Sequence, residues 1–409
     1  MSVEPETDDP TPGMVECPVC RVEVPEGEYC GLCGLPLSEH GAQGPGWLRM
    51  GAYSASPGEH LLMPNIVSTL FPHLSPRSRV PFLAGLGLIV AALVATTLFR
   101  LPAALITVAA LGLPLLFLIY LQESDVYQDV PTATLVTTAG LGIGLGVGWV
   151  LLTGALVAQA YDVGLGMGIA SSRVLRDGLA VPIGGLVLML VPAVLVRLVR
   201  PGPREALDGF AIGTLGALMF TAAAQMTRLA PQFAGGMVAR GRPMDGLLVE
   251  AGIRGVAVPL TAACVGGLIG TALWFARPAN KKDQHRNFVR LALTVFALTV
   301  MSMYALLGLV DVARFPQYLQ LAMHLTVAAL AMLALRVGLH LALLHEDHDE
   351  ILSDEPLLCT HCGHVVPDMA FCVACGAATR ASSRSSRQAR RDTRPVRVEA
   401  GPEPGGDEQ

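Results

Sequence analysis

The chain has 409 residues, of which 52% are hydrophobic and only 15% are charged, and its mean hydropathy is +0.52. A soluble core of this size would leave more charged residues, so the composition excludes an ordinary soluble protein and indicates a polytopic membrane protein. The net charge of −5 conceals an uneven distribution and by itself says nothing about a nucleic-acid partner. Such a partner is not expected, because tethering to the membrane would bring the Arg-rich tail close to lipid headgroups and not to DNA.

The N-terminal part combines a polar start, a cysteine cluster and a linker. Residues 1–13 are acidic and rich in proline, and we expect them to be disordered. Residues 14–37 hold four cysteines: Cys17, Cys20, Cys30 and Cys33. Residues 38–79 are predicted to be a linker. Its apolar stretch LLMPNIVSTLFPHL is interrupted by two prolines, so it fits an interfacial segment better than a ninth span.

Long apolar segments fill residues 80–344, and each has about the ~20 residues that a helix needs to cross a bilayer. Inside hydrocarbon every backbone polar group must be satisfied within the segment, so these segments have to be helices. We predict eight: Val80–Phe99, Leu101–Leu121, Thr134–Ala158, Gly178–Val199, Leu207–Leu229, Ile253–Phe275, Phe288–Val312 and Tyr318–Leu344. The predicted fold is an all-α polytopic membrane protein with about eight transmembrane helices and a small cysteine-containing module at each terminus.

The third segment contains GLGIGLGVG, from Gly140 to Gly148, which has the glycine content of a dinucleotide-binding loop. Such a loop follows a short strand and precedes a soluble helix, whereas here apolar residues continue on both sides for a full span. The pattern therefore favours close packing of membrane helices.

The C-terminal part mirrors the N-terminal part. Residues 345–357 are predicted to be an acidic linker, and residues 379–409 a disordered tail rich in Arg and Ser. Between them, residues 358–378 hold Cys359, Cys362, Cys372 and Cys375. Both clusters have the spacing C-x2-C-x9-C-x2-C. They also share a proline five residues before the third cysteine (Pro25, Pro367), an aromatic residue directly before it (Tyr29, Phe371) and a glycine after the fourth (Gly34, Gly376).

Two facing C-x2-C turns offer four thiolates in the tetrahedral arrangement that structural zinc prefers. Each module has about twenty residues, too few to fold on a hydrophobic core alone, so a metal would supply the folding energy. Both modules resemble the small zinc ribbons found at the ends of many bacterial membrane and regulatory proteins. That resemblance implies one non-catalytic zinc ion per cluster. Disulfides or redox-active cysteine pairs are the alternative.

The zinc hypothesis also predicts the topology, because thiolate sites persist in a reducing compartment. We expect a multi-pass protein of the cell membrane with both termini in the cytoplasm, which an even number of spans permits. In that orientation the Arg-rich tail from Arg380 to Arg397 would lie near anionic lipid, a possible partner.

Three stretches between about Pro114 and Phe275 carry a resemblance. PREALDGFAIGTLGALMF (Pro203 to Phe220), PLLFLIYLQESDVYQDVP and RGVAVPLTAACVGGLIG together resemble the PrsW-type family of membrane-embedded glutamate proteases. The resemblance implies an adjacent Glu pair, a further Glu and a later His. The corresponding positions here hold Gly184 and Gly185, Ala224 beside Gln225, and Leu260 or Thr261. It thus implies a degenerate relative without the carboxylates of the protease.

Polar side chains within the spans are functional candidates because burying them in a membrane is costly. The main candidates of this kind are Gln225, His324, Arg336 and His340, and Arg228 near the end of the fifth span is a further one. Gln225 and His324 are expected to line a cavity or to form interhelical hydrogen bonds. Arg336 and His340 lie one helical turn apart, and we expect Arg336 to extend towards the membrane surface.

Together these features predict a non-enzymatic membrane scaffold or regulator that presents two zinc ribbons to the cytoplasm, where they bind a protein partner or each other. The alternatives are a PrsW-like intramembrane protease with unrecognised catalytic groups and a small-solute transporter. A transporter would show charges at helix breaks in both halves of the chain, and the sequence has no such paired pattern.

Overall fold

The computed structural model describes residues 13–18, 21–37, 52–72, 79–99, 101–124, 126–161, 176–199, 205–234, 244–275, 285–313, 315–346, 356–359 and 361–392. Within these ranges, eight helices are long and apolar enough to cross a membrane, which confirms the predicted number. These candidate spans are Val80–Leu98, Ala103–Glu123, Thr132–Leu156, Arg176–Val199, Ala206–Pro231, Leu248–Trp274, Asn287–Val312 and Gln317–His345.

The described α-helices, numbered in chain order, are α1 (Ile66–Leu70), α2 (Arg79–Leu98), α3 (Pro102–Glu123), α4 (Val126–Asp129), α5 (Thr132–Tyr161), α6 (Val181–Val199), α7 (Ala206–Ala234), α8 (Met244–Ala251), α9 (Val258–Trp274), α10 (His285–Val312), α11 (Gln317–His345) and α12 (Arg384–Asp392). π-Helical turns at Arg176–Ala180 and Gly252–Ala257 precede α6 and α9, so α8 continues into α9. A 3-10 turn, Thr379–Ala381, precedes α12.

Helices α7 and α9 form the centre of the bundle. In the most apolar 18-residue stretch of each span, 89% of the residues are buried in α7, whereas only 6% are buried in α2 at the periphery. Gly209 and Gly213 of α7 face Gly270 and Gly266 of α9, and a Cβ on any of them would collide with a backbone oxygen of the partner helix. Two small-xxx-small motifs therefore let these backbones meet directly.

The glycine-rich third span also packs directly against α7, further along that helix. Gly142 and Gly146 approach the carbonyl oxygens of Gly216 and Phe220, whereas no atom lies within 4 Å of the Cβ position at Gly140, Gly144 or Gly148. The glycines thus alternate between a helix contact and open space. The segment is part of α5, as the interpretation of helix packing predicted.

Each terminal cysteine module is built on an antiparallel hairpin. In the N-terminal module β1 (Met14–Glu16) pairs with β2 (Glu23–Pro25), and in the C-terminal module β5 (Pro356–Leu358) pairs with β6 (Val365–Pro367). The two hairpins have the same register relative to their cysteines, so the sequence repeat is also a structural repeat.

The prediction that residues 38–79 are only a linker is wrong for residues 52–72. There β3 (Ala52–Tyr53) and β4 (Ser56–His60) form a hairpin, and α1 follows. Tyr53, Leu61, Leu70 and Phe71 are buried in the main core. This segment supplies hydrogen-bond acceptors to Arg336 of α11, as described below.

The prediction of a disordered tail is wrong for residues 379–392, which form the 3-10 turn and α12. Arg387 is only 6% exposed, and its guanidinium forms an ion pair with Glu205, directly before α7. The predicted disordered segment 1–13, apart from Gly13, and the tail beyond residue 392 lie outside the described residues.

Candidate metal centres and a polar cavity

Each C-x2-C turn that the structure describes ends in the same backbone conformation. The residue after the second cysteine has a positive φ: 53° at Arg21, 72° at Gly34, 76° at Gly363 and 70° at Gly376. In each turn its N–H donates to the carbonyl of the first cysteine at 2.8 Å. Glycine adopts this left-handed conformation without strain, which explains three of the four residues. In the three turns whose two cysteines are both described, the bend brings the two thiols close together.

In the C-terminal module the Sγ atoms of Cys359, Cys362, Cys372 and Cys375 all lie within 4.8 Å of one another. The distance is 3.8 Å from Cys359 to Cys375 and 3.9 Å from Cys362 to Cys372. A regular tetrahedron with Zn–S bonds of ~2.3 Å has S···S edges of about 3.8 Å, whereas a disulfide bond is about 2.05 Å long. The donor set and its spacing therefore fit a four-coordinate metal ion and do not fit disulfides.

In the N-terminal module Cys17, Cys30 and Cys33 form the corresponding group, with 3.7 Å between the Sγ atoms of Cys17 and Cys33. All three are buried. Cys20 lies outside the described residues, so the structure places three of the four predicted ligands.

The thiols of the C-terminal cluster cannot all ionise unless a cation balances them. The hydrogen bond from Cys372 lowers the pKa of Cys359 to about 4, and the same bond raises the pKa of Cys372. Burial raises the pKa of Cys375 to about 11. A divalent metal would reverse this and release protons, because the ligand form of cysteine is the thiolate.

The two modules pack against each other through reciprocal contacts. The N–H of Tyr29 donates to the carbonyl of Val373 at 3.0 Å, and the N–H of Phe371 donates to the carbonyl of Gly31 at 2.9 Å. The ring of Phe371 covers Gly34, and the ring of Tyr29 covers Gly376. The aromatic residue and the glycine that recur in both sequences thus form the contact between the modules.

Helix α12 joins the C-terminal module to the bundle. The carboxylate of Asp129 at the end of α4 accepts from the N–H groups of Arg384 and Ser385, the first turn of α12. Arg384 and Arg387 form ion pairs with Glu205, which directly precedes α7, and Arg384 lies 3.6 Å from Asp208. Glu346 at the end of α11 also accepts from Ala206 N–H at 2.7 Å. The ends of α4, α7 and α11 therefore meet at this end of the bundle.

Arg336, which was expected to extend towards the membrane surface, is covered by the 52–72 segment. Its guanidinium is fully buried and stacks on the Tyr53 ring at 4.0 Å. It donates to the carbonyls of Leu61 and His60, to the hydroxyls of Ser68 and Thr69, and to Glu59 at 2.9 Å. One turn later His340 Nδ1 lies 2.6 Å from Ser54 Oγ. The two residues anchor this segment to α11.

The other predicted polar residues, Gln225, Arg228 and His324, line a cavity of about 550 Å³ at the other end of the bundle. This end contains the last third of α7, the start of α8, the end of α10 and the start of α11. His324 also bridges two helices, with 2.9 Å from its Nε2 to Asp311 Oδ1. His324 therefore both lines a cavity and forms an interhelical hydrogen bond, which are the two roles that the sequence left open.

Several charged residues of the cavity were not among the sequence candidates: Asp177, Glu250, Arg254 and Asp311. All lie near the ends of the apolar segments, where charged residues are commonly exposed to water. The four-residue spacing of Glu250 and Arg254, which are 3.4 Å apart, was the available signal.

In comparisons with known proteins, no family model, curated protein or solved structure matches the chain.

Proposed function

We propose that the protein is a non-enzymatic membrane scaffold or regulator whose two cysteine modules are zinc ribbons that form one cap on the cytoplasmic end of an eight-span bundle. The observation that supports this most is the reciprocal contact between the modules, in which Tyr29 and Phe371 exchange backbone hydrogen bonds with the opposite module. Two ends of one chain are thereby joined into a single surface.

The zinc ions in this proposal are structural. A catalytic zinc ion keeps an open coordination position, whereas four thiolates close the tetrahedron. Each ribbon has only a small cluster of buried apolar side chains around its cysteines, so metal binding would supply much of its folding energy. The metal would therefore control whether the cap exists.

The cap is assigned to the cytoplasm because thiolate sites survive in a reducing compartment. A reporter that is active only in the cytoplasm, fused after Gln409, tests this assignment, and activity of a periplasmic or extracellular reporter at that position would reverse it. The same fusion placed between α7 and α8 should give the opposite result.

The two hairpins present different side chains at the same register position of the cap. Leu358 and Val365 are paired across the C-terminal hairpin and are 54% and 62% exposed, whereas Glu16 and Glu23 occupy the equivalent pair in the N-terminal hairpin. Contiguous exposed apolar surface can mark a protein contact site, and these two side chains are neighbours across the hairpin. We therefore assign partner binding to this hairpin.

The experiment compares partners captured by the full-length protein and by a Leu358→Glu, Val365→Glu variant, which gives the second hairpin the charges of the first. Proteins lost from the variant and then shown to bind the purified wild-type protein support the proposal. Val22→Glu is the matched control, because it adds an acid at another apolar position that is 50% exposed in the cap. Identical partners for all three forms would contradict the proposal.

Although parts of the sequence resemble membrane-embedded glutamate proteases, we propose a non-enzymatic function because the implied catalytic carboxylates are replaced. Gly185, Ala224 and Gln225 line the cavity at positions where that resemblance implies catalytic carboxylates. None of these side chains can act as a general acid or base. Cleavage of a membrane substrate by the purified protein, lost on Glu250→Gln or Asp311→Asn substitution, would favour the protease alternative.

A further inference from the structure

The cavity at the end opposite the cysteine modules is large enough to bind a small molecule. Its volume of about 550 Å³ lies within the ~300–1,000 Å³ usual for ligand pockets. It lies between α7, the α8–α9 span, α10 and α11, and aromatic side chains of Trp149, Phe220 and Tyr304 form part of its wall. What it can bind depends on its polar groups.

His324 presents a buried acceptor to this cavity. Its Nε2 lies 2.9 Å from Asp311 Oδ1, and an ionised carboxylate can only accept, so Nε2 carries the hydrogen. In the neutral ring Nδ1 then has a free lone pair. His324 is 1% exposed, and among the described residues Nδ1 has no hydrogen-bond partner. Such a group costs free energy unless a ligand or water donates to it.

Gln225 presents a second unsatisfied group to the same cavity. The side chain is 4% exposed, and its Oε1 is buried without a hydrogen-bond partner in the described part of the chain. A ligand with at least two N–H or O–H donors could satisfy both of these buried acceptors, which belong to two helices that line one cavity.

Arg228 adds a cation to these acceptors. It lies three residues after Gln225, on the same side of α7, and forms no ion pair with a described residue, although Asp311 and Arg254 are its charged neighbours. The other charges of the cavity are compensated: Asp177 by Arg176, and Glu250 by Arg254 at 3.4 Å. The Asp311 side chain is 57% exposed and remains accessible for a positive group.

We propose that this cavity binds a small zwitterionic solute of the amino-acid class, which carries one carboxylate and one protonated amine. The carboxylate pairs with Arg228, and the ammonium group donates to His324 Nδ1 and Gln225 Oε1 next to the negative charge of Asp311. A purely anionic ligand would leave both acceptors unsatisfied and would face Asp311 and Glu250. A purely cationic ligand would face Arg228.

The test uses the full-length protein in lipid nanodiscs. Its unfolding temperature is first measured with each standard amino acid at millimolar concentration, and the one giving the largest increase becomes the probe. Its C-terminal amide removes the carboxylate, and its N-trimethyl derivative removes every N–H donor. Each change should weaken binding by on the order of tenfold or more, because each removes hydrogen bonds that involve a charged group.

The variants Gln225→Leu and Arg228→Gln should weaken binding of the same probe to a similar extent. Thr227→Val is the matched control on α7, because Thr227 does not line the cavity and its hydroxyl bonds only to Ala223 of its own helix. Zinc content, measured at the opposite end, reports folding and tests the ribbon proposal separately.

Failure of every amino acid to raise the unfolding temperature would overturn the inference. So would wild-type affinity in the folded Gln225→Leu and Arg228→Gln variants, or equal binding of the N-trimethyl derivative.

Discussion

Arg387 of α12 and Glu205 at the start of α7 are 182 residues apart in the chain, yet Nη2 and Oε1 lie 2.5 Å apart. Arg387 is 6% exposed and its NH1 group also donates to the carbonyl of Ser382, so the guanidinium is held on both sides. The pair connects the C-terminal cysteine module to the bundle, because α12 begins only nine residues after Cys375.

Glu205→Gln should release α12 from the bundle. Removing one partner of a buried ion pair leaves Arg387 uncompensated and costs about 3 kcal/mol. Because α12 contains four arginines, the release is measured as faster tryptic cleavage there. Asp392→Asn, at an exposed position of the same helix, is the control and should be cleaved at the wild-type rate. Equal rates for Glu205→Gln and wild type would show that the ion pair does not hold the helix.

The same pair predicts how docking depends on pH. Burial raises the pKa of Glu205, but the neighbouring Arg387 and Arg384 lower it by more than burial raises it. The pKa of Glu205 in the folded protein is therefore below the ordinary value of 4.5. Because the pKa is lower in the folded state than in the unfolded state, ionised Glu205 stabilises the docking of α12 fully above pH 4.5. This stabilisation is lost as the pH falls through the folded-state pKa. Hydrogen exchange of α12, corrected for intrinsic rates, should increase in that acidic range in the wild-type protein. Glu205→Gln should show no such step.

Metal analysis should find two zinc ions per chain, one for each four-cysteine cluster. Cys372→Ser should remove the C-terminal ion and, because Phe371 and Val373 beside it bond to the N-terminal module, should also accelerate tryptic cleavage of α12. Cys264→Ala is the matched control, since Cys264 is buried in α9 far from either cluster. Less than one zinc ion per wild-type chain would contradict the metal assignment.

The spans and the cysteine clusters could be predicted because their causes are local. A segment in hydrocarbon satisfies its hydrogen bonds within itself, and a C-x2-C turn brings two thiols together whatever surrounds it. The order of α12 was harder to predict, although Arg384, Arg387 and Arg391 recur at helical spacing and could have signalled one charged face. What the sequence did not show was the acidic surface of Asp129, Glu205 and Asp208 that receives them.

The surroundings of Arg336 could not be predicted for the same reason. Its acceptors lie between 267 and 277 residues earlier in the chain, in a segment whose prolines and short apolar runs gave no clear helical or strand period. The charged cavity residues also belong to different helix ends. Only the packing of the bundle shows that Asp311 and Glu250 line the same cavity as Gln225.

Arg336→Met should destabilise the protein by about 3 kcal/mol, because it leaves the acceptors of the 52–72 segment without their cation and removes the stack on Tyr53. The expected measurement is a lower unfolding temperature, together with faster proteolysis within residues 52–72. Arg290→Met is the control, because Arg290 is exposed on α10 and its loss should change stability by no more than about 0.5 kcal/mol. A similar loss in both variants would mean that the charge itself, and not the anchoring of the segment, is responsible.

The contact between α7 and α9 leads to the last prediction. Gly213 lies against the Gly266 carbonyl, and side-chain atoms added there would meet backbone that cannot rotate away. Gly213→Val should therefore separate the two central helices and cost about 3 kcal/mol, at the upper end of overpacking effects. Gly144→Val adds the same atoms to α5 at a position with no neighbour within 4 Å, and it should leave the unfolding temperature close to that of wild type. Because both variants place a β-branched residue in an apolar helix, any effect of helix propensity is shared, and the difference between them measures the helix contact. If the two variants are equally stable, α7 and α9 are not in the direct backbone contact described here.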